Sequence, residues 1–154
     1  MKFLFSILML GFSVTITAQD FFTEADAKGL IDTFFEGFHK GDTLLMQSVL
    51  AENVVLQSAS VNREGKNVLS VTPMSGFLKS IGSRPEDQVW KEKLLGYEVQ
   101  IDGNLAHVWT PYEFWYNGTF SHCGANAFTI AKLEEGWKII HLIDSRRRDD
   151  CQQE

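Results

Sequence analysis

Apolar residues recur every three or four positions in the first part of the chain. These positions are Ala27, Leu30, Ile31, Phe34, Phe35 and Phe38. The spacing is typical of an amphipathic helix; Thr23 and Asp26 match a capping box at its start, and Gly41 is placed to end it. Asp42 can cap a second helix, which has an apolar stripe over residues 45–50. The pattern therefore predicts two helices that meet at a tight corner.

Beyond these helices the pattern changes to runs that are typical of β-strands. We predict strands over residues 54–61, 67–72, 90–101, 105–116, 119–133 and 137–144. Thr72 and Pro73 begin a short third helix that ends near Gly82. Because no helix separates the later strands, the order ααββαββββ indicates an α+β fold. We expect a cone-shaped, curved antiparallel or mixed sheet packed on three helices of the N-terminal half.

The first 18 residues differ from the rest of the chain. They combine Lys2 with an apolar run over residues 3–12 and with small or polar residues up to Ala18. This is the pattern of a secretory signal peptide; a membrane span would need about 20 apolar residues. We therefore expect export to the periplasm or the extracellular medium, with no stable membrane span in the mature chain. The remaining residues, 19–154, are enough for one core and one domain.

The charge of the chain argues against one class of partner. The formal net charge is −6, and removing Lys2 with the signal peptide makes it −7. An acidic surface repels a phosphate backbone, so we expect no nucleic-acid partner. The basic run Arg146-Arg147-Arg148 is followed at once by Asp149-Asp150 and is typical of a solvated tail with local ion pairs.

Several motifs resemble those of a known superfamily. Phe38-His39-Lys40-Gly41-Asp42 ends the first helix, and Gly136-Trp137-Lys138-Ile139-Ile140-His141 opens the last strand. With the element order, these motifs resemble the nuclear-transport-factor-2-like superfamily over nearly all of the mature chain. Trp109-Thr110-Pro111-Tyr112-Glu113-Phe114, Ser121-His122-Cys123-Gly124 and Asp144-Ser145-Arg146-Arg147 resemble its exported SnoaL-like proteins, most of which have no assigned function. The resemblance implies a ligand inside the cone and a homodimer through the convex sheet face.

The two hairpin turns sort the strand residues into two faces. A two-residue turn at Asn117-Gly118 pairs Tyr116 with Thr119, and a three-residue turn after Leu133 pairs it with Trp137. One face then carries Val108, Thr110, Tyr112, Phe114, Ser121, Cys123, Ala125, Ala127, Thr129, Ala131, Ile139, His141 and Ile143. The other carries Trp109, Glu113, Trp115, Phe120, His122, Asn126, Phe128, Ile140, Leu142 and Asp144. Because charges are costly beneath the helices, we predict that the first, uncharged face is concave.

The predicted interior suggests a binding site for a small apolar or aromatic molecule. We expect it to be lined by Tyr112, Thr110, Thr129, His141 and Phe38. His141 is the best catalytic candidate, since it is the group on this face that can exchange a proton near neutral pH. An alternative hypothesis is therefore an isomerase, dehydratase or hydrolase of an apolar cyclic substrate, with His141 as base and Tyr112 as hydrogen-bond donor. No carboxylate on this face orients the histidine, which favours a binding protein.

Two further alternatives depend on the other face. Its aromatic residues Trp109, Trp115, Phe120 and Phe128 suit a dimer interface or a protein-interaction module with a filled cone. If the face assignment is inverted, His122, Glu113 and Asp144, together with Trp109 and Asn126, become the site instead.

The only cysteines, Cys123 and Cys151, predict a disulfide. An even number of cysteines in an exported chain favours pairing, and Cys123 lies opposite position 147, within reach of a tail that folds back. The alternative, a nucleophilic Cys123 thiol, is disfavoured because the adjacent His122 points to the opposite face. The histidines show no metal-ligand spacing, so we predict neither a metal site nor a cofactor.

Overall fold

The computed structural model describes residues 21–151, which begin after the predicted signal peptide of residues 1–18. Across this part of the chain, none of the helices combines the length and apolar character needed to span a membrane.

Three helices form where the apolar pattern predicts them, namely α1 (Glu24–Lys40), α2 (Thr43–Val49) and α3 (Met74–Gly82). The capping box at the start of α1 is present, because the Thr23 hydroxyl accepts from the Asp26 amide and the Thr23 amide donates to the Asp26 carboxylate at 2.8 Å. Gly41 ends α1 in a left-handed conformation with φ 74°. Asp42 then caps α2 by accepting from the Leu45 amide at 3.0 Å. The tight corner between the two helices is thus set by local side-chain chemistry.

Seven strands form one mixed sheet. They are β1 (Leu50–Val61), β2 (Asn67–Thr72), β3 (Trp90–Leu94), β4 (Glu98–Asp102), β5 (Leu105–Tyr116), β6 (Thr119–Leu133) and β7 (Gly136–Arg147). Their order is β2-β1-β7-β6-β5-β3, and β4 also pairs with β5. Only β1 and β7 run parallel among these pairs. The predicted α+β class and the mixed sheet are therefore confirmed.

The predicted strand over residues 90–101 is wrong in one respect, because it divides into β3 and β4. Both pair with β5, β3 from Tyr112 onward and β4 up to Trp109. Between them the Leu95 amide donates to the Pro111 carbonyl at 2.8 Å. Pro111 has no N–H to return, so a regular ladder is interrupted at this point.

The hairpin between β5 and β6 contains a bulge that the sequence analysis did not anticipate. Tyr116 faces Thr119 as predicted, but the register shifts between Trp115 and Phe114, and Phe114 then faces His122. A shift of one residue moves every following side chain of β6 to the other face. The predicted face assignment is therefore correct along β5 and for Thr119 and Phe120, and it is inverted along β6 from His122 onward.

The hairpin between β6 and β7 carries this inversion into β7. Its turn is shorter than predicted, since Leu133 faces Gly136. A second register shift, between Ile130 and Thr129, then restores the predicted pairing of Thr129 with His141. Both residues consequently lie on the outer face of the sheet.

The core lies between α1 and the face of the sheet that packs against it, called the inner face below. Phe128 is fully buried there, with its ring 5.9 Å from Phe34 and 6.0 Å from Phe35, measured between centroids. Leu142 on β7 and Val108 on β5 flank Phe128 across the strands and are also buried. The interior around Phe128 is thus formed by even-numbered residues of β5 and β6, and by Ile139 and Leu142 on either side of the register shift in β7.

Candidate functional site

A pocket of about 370 Å³ opens between α1, α3 and the inner face of the sheet. Its lining residues come from every layer of the fold: Phe34, Phe35, Phe38, Leu56, Gln57, Ser58, Thr72, Phe77, Trp90, Glu92, Tyr112, Phe114, Tyr116, His122, Asn126, Leu142, Asp144 and Arg146. Six of them are phenylalanine or tryptophan, whereas the polar ones cluster on the strands. The pocket therefore has an aromatic wall and a polar wall.

The aromatic wall is centred on Phe38. Its ring stacks on Phe77 at 6.2 Å and lies 6.2 Å from Trp90 and 6.4 Å from Phe114. Arg84 contacts two residues of this wall. Its guanidinium lies 5.2 Å from the Trp90 ring centroid and donates a hydrogen bond to the Phe38 carbonyl at 3.2 Å. The Trp90 indole N–H is buried and has no hydrogen-bond partner among the described residues. A buried donor without a partner is unusual in a folded protein.

The first polar group of the pocket is Glu92 on β3, a half-buried side chain beside the buried Asn126. The Asn126 side-chain amide donates to its carboxyl oxygen Oε1 at 2.6 Å. Burial raises the pKa of Glu92 to about 8, and the nearby Asp144 charge acts in the same direction. Glu92 is therefore uncharged at neutral pH and can donate as well as accept a hydrogen bond.

Tyr112 and Asp144 form a second polar group beside the first. The Tyr112 hydroxyl donates to Asp144 Oδ2 at 3.1 Å and lies 3.2 Å from the Ser145 carbonyl oxygen. Arg146 Nε lies 3.5 Å from the same Asp144 oxygen. Burial, followed by the Asp144 charge, raises the pKa of Tyr112, so the phenol keeps its proton. Asp144 is the one carboxylate of the pocket that has a cationic partner within 4 Å.

His122 completes the polar wall. Its ring stacks on Phe114 at 4.9 Å and meets the Tyr112 ring edge-on at 5.9 Å. Burial and the charge of Arg146 lower the pKa of His122 to about 4. The imidazole is therefore neutral at physiological pH, and its Nδ1 lies 3.0 Å from the Ser121 hydroxyl.

Comparison with family models and with curated proteins gave no match to this chain. Solved structures share its architecture. An NTF2-like protein of unknown function from Shewanella baltica OS155 is 17% identical with TM-score 0.57, and the match covers 83% of this chain and 99% of that chain. An NTF2-like protein from Cytophaga hutchinsonii ATCC 33406 is 11% identical with TM-score 0.62, covering 82% of this chain and 100% of that one.

The chain has the nuclear-transport-factor-2-like (NTF2-like) fold. A third protein with this architecture, from Streptomyces avermitilis, is proposed to be a dehydratase of the NTF2-like family. It is 14% identical with TM-score 0.58, and the match covers 79% of this chain and 93% of that chain. At these identities the likeness establishes the NTF2-like fold alone.

Within this NTF2-like fold, the predicted site residues separate into two groups. Phe38 and Tyr112 line the pocket, and Thr110 is fully buried on the same face opposite Asn126. Thr129 and His141 lie on the outer face and do not line the pocket, so their predicted placement on the inner face is wrong. The bulge between Phe114 and Trp115 is the physical cause. His141 Nε2 instead lies 2.9 Å from the Gln57 side-chain oxygen.

The structure brings together three of the five residues of the inverted alternative. His122, Asn126 and Asp144 line the NTF2-like pocket. The other two, Glu113 and Trp109, are on β5, where the original assignment holds, and they lie on the outer face. Glu113 is buried there, accepts from the Trp115 indole at 3.1 Å and lies 3.9 Å from Lys93 Nζ.

Sequence reasoning missed Glu92 altogether. The signal that could have found it is the alternation of Trp90, Glu92 and Leu94, which places one acidic residue on the buried side of an otherwise apolar strand face. That side could be recognised as interior only if the pairing of β3 with β5 were known.

These pKa shifts predict the pH dependence of the folded NTF2-like domain. Between about 4.5 and 8 the native Glu92 holds a proton that the unfolded chain has lost, so the free energy of unfolding falls as pH rises. Burial lowers the pKa of His39 to about 4, as it does for His122, so between about 4 and 6.5 both make the free energy of unfolding rise with pH. We expect maximal stability near pH 6.5.

The measurement is urea denaturation over a pH series with Glu92→Gln as the matched variant. Above pH 6.5 the wild type should lose up to about 1.4 kcal/mol per pH unit, whereas Glu92→Gln, which cannot ionise, should not. Parallel profiles of the two proteins between pH 6.5 and 8 would contradict the raised pKa of Glu92.

Proposed function

We propose that the protein is a small-molecule-binding protein whose pocket takes a planar, mainly apolar molecule that carries a polar group. The observation that carries this proposal is the division of one pocket into an aromatic wall around Phe38 and a polar wall around Glu92 and Tyr112. A flat ring system can stack against the first wall while its polar group reaches the second.

The size and chemistry of the pocket support this ligand class. Ligand pockets of proteins are typically about 300 to 1,000 Å³, mostly apolar, with a few polar groups that fix orientation. The pocket is within that range at about 370 Å³. Glu92 is uncharged, and the Asp144 charge is paired with Arg146. An uncharged ligand in the pocket would therefore not lie against an unpaired charge.

Binding can be tested by isothermal titration calorimetry with 2-acetonaphthone, a planar, uncharged aromatic ketone. We expect saturable binding to the wild type and a loss of affinity of roughly ten-fold or more in Ser58→Phe, because residue 58 lines the pocket and a phenyl ring there takes up its volume. Ala59→Phe is the matched control, since the neighbouring side chain is exposed and points to the opposite face. Equal affinity of both variants, or no saturable binding by the wild type, would contradict the proposal.

A second candidate is an enzyme that moves a proton on a bound substrate. The observation that favours it is the presence of two differently charged carboxyl groups in one pocket, a neutral Glu92 as acid and an Asp144 carboxylate as base. This arrangement replaces the predicted His141 base, which lies outside the pocket. Exchange of the 2-acetonaphthone methyl protons with deuterated water, lost in Asp144→Asn, would distinguish this enzyme from a binding protein.

Two of our expectations remain predictions. Export rests on residues 1–18, and an oxidising compartment would suit the disulfide between Cys123 and Cys151. A homodimer through the outer face would use Trp109, whose side chain is 40% exposed. Phe128 cannot contribute to that interface, because it is buried in the core.

A further inference from the structure

One edge of the sheet is formed by β2, which is paired on one side only. β2 stands first in the strand order, next to β1, and all six of its residues are exposed. The outer side of such a strand presents backbone N–H and C=O groups that can pair with another strand. No other described strand covers this side.

The composition of β2 offers no protection against such pairing. Its sequence, Asn67-Val68-Leu69-Ser70-Val71-Thr72, has no charged residue and no proline. Val68, Leu69 and Val71 are 39%, 59% and 65% exposed. Natural proteins usually protect an open edge with charges, proline or a bulge. The composition of β2 is therefore that of a strand whose outer side is paired with another strand when the protein functions.

The opposite edge of the same sheet is protected in the usual way. β3 exposes Lys91 and Lys93, and β4 exposes Glu98 and Asp102. The two edges of one sheet therefore differ in chemistry, although they have the same unpaired backbone.

We propose that β2 pairs antiparallel with β2 of a second copy of this chain, about a two-fold axis at Ser70. Ser70 then faces Ser70 of the second copy, and Leu69 faces Val71. The two sheets join into one continuous sheet across the axis. This interface adjoins the pocket, which Thr72 at the end of β2 helps to line, and it goes beyond the proposed function.

The register follows from the alternation of side chains. Directly opposed residues in an antiparallel pair point to the same face, and Leu69 and Val71 share the outer face with their β1 neighbours Ala59 and Gln57. Centring the axis on Ser70 therefore opposes the two most exposed aliphatic side chains of the strand. Centring it on Leu69 would instead oppose Asn67 with Val71, an amide with an aliphatic group.

The charge of the strand makes a second copy the fitting partner. Because β2 carries no charge, self-pairing brings no like charges together, whereas a charged partner strand would gain no ion pair from it. A two-fold axis also lets one short sequence satisfy both sides of the ladder.

Cysteine cross-linking tests the register directly. Oxidation of Ser70→Cys should give a disulfide-linked dimer within minutes, because the two side chains are opposed at the axis. Asn67→Cys, also exposed on β2, is the matched control, since its two copies would lie roughly 20 Å apart. Peptide mapping confirms that Cys123 and Cys151 remain paired with each other. Cross-linking of Ser70→Cys no faster than of Asn67→Cys would overturn the proposal.

Sedimentation equilibrium tests the interface without added cysteines. The wild type should be dimeric at micromolar concentration, and Leu69→Lys should raise the dimer dissociation constant by about ten-fold or more. Leu105→Lys, at a site of similar exposure on the far side of the sheet, should leave it unchanged. A monomeric wild type, or a dimer that survives Leu69→Lys and is lost in Trp109→Lys, would overturn edge pairing; the latter result would indicate the outer-face dimer.

Discussion

Gly124→Ala should destabilise the protein by about 4 kcal/mol or more, a loss at the upper end for a single substitution. Gly124 lies on β6 where β7 and the Tyr112 ring approach most closely. A Cβ atom there would overlap the Ser145 carbonyl oxygen and lie 2.9 Å from Cε1 of Tyr112. Moving either neighbour aside costs considerable free energy, because the first is a backbone atom and the second belongs to a buried ring.

Urea denaturation measures this loss, and Gly29→Ala is the control for the same chemical change. Gly29 lies within α1 with no atom within 4 Å of an added Cβ, so alanine there should stabilise by roughly 0.5 to 1 kcal/mol. The two substitutions are thus expected to have opposite signs. A loss below about 1 kcal/mol in Gly124→Ala would show that β6 and β7 can separate more easily than their packing suggests.

The helices could be predicted from the sequence because their determinants are local. The capping box at Thr23 and Asp26, the left-handed Gly41 and the Asp42 cap each involve residues within a few positions of one another. Nothing in the rest of the fold has to be known to place them.

The faces of the sheet could be predicted only up to the first bulge. Tyr112 lies on β5, where the assignment from the apolar pattern holds, and it was placed correctly. Thr129 and His141 lie beyond the shift at Phe114, and one extra residue moved both to the outer face. Trp115 packs edge-on against Phe120 at 5.5 Å beside this bulge, and no pattern in the local sequence marks the extra residue.

The assumption that the interior is uncharged failed for a related reason. It holds on average, since an unpaired charge is costly to bury. In this pocket Glu92 avoids the cost by remaining protonated, with a hydrogen bond from Asn126. Asp144 is compensated by the hydrogen bond from Tyr112 and by the nearby Arg146 charge. General rules of this kind are expected to fail first at functional or strained sites.

The disulfide, which was predicted and is present between Cys123 and Cys151, should be the second large contributor to stability. The two residues are 28 positions apart, and closing a loop of this size should stabilise by roughly 3 to 4 kcal/mol through the entropy of the unfolded chain. The Cys123→Ala/Cys151→Ala variant should show this loss in urea denaturation, and the wild type unfolded in excess dithiothreitol should match it. A loss below about 1 kcal/mol would mean that the tail is held by other contacts.

The same variant should also bind a pocket ligand more weakly, because the disulfide stabilises the last residue pairs between β6 and β7. Cys123 faces Arg147 and Gly124 faces Arg146, directly beside Asp144 and the Ser145 carbonyl that accept from Tyr112. If these residue pairs separate, Asp144 and the Ser145 carbonyl no longer hold the Tyr112 hydroxyl in position. We therefore expect the double variant to bind 2-acetonaphthone more weakly than the wild type even at temperatures where it is fully folded, whereas Gly29→Ala should bind it equally well.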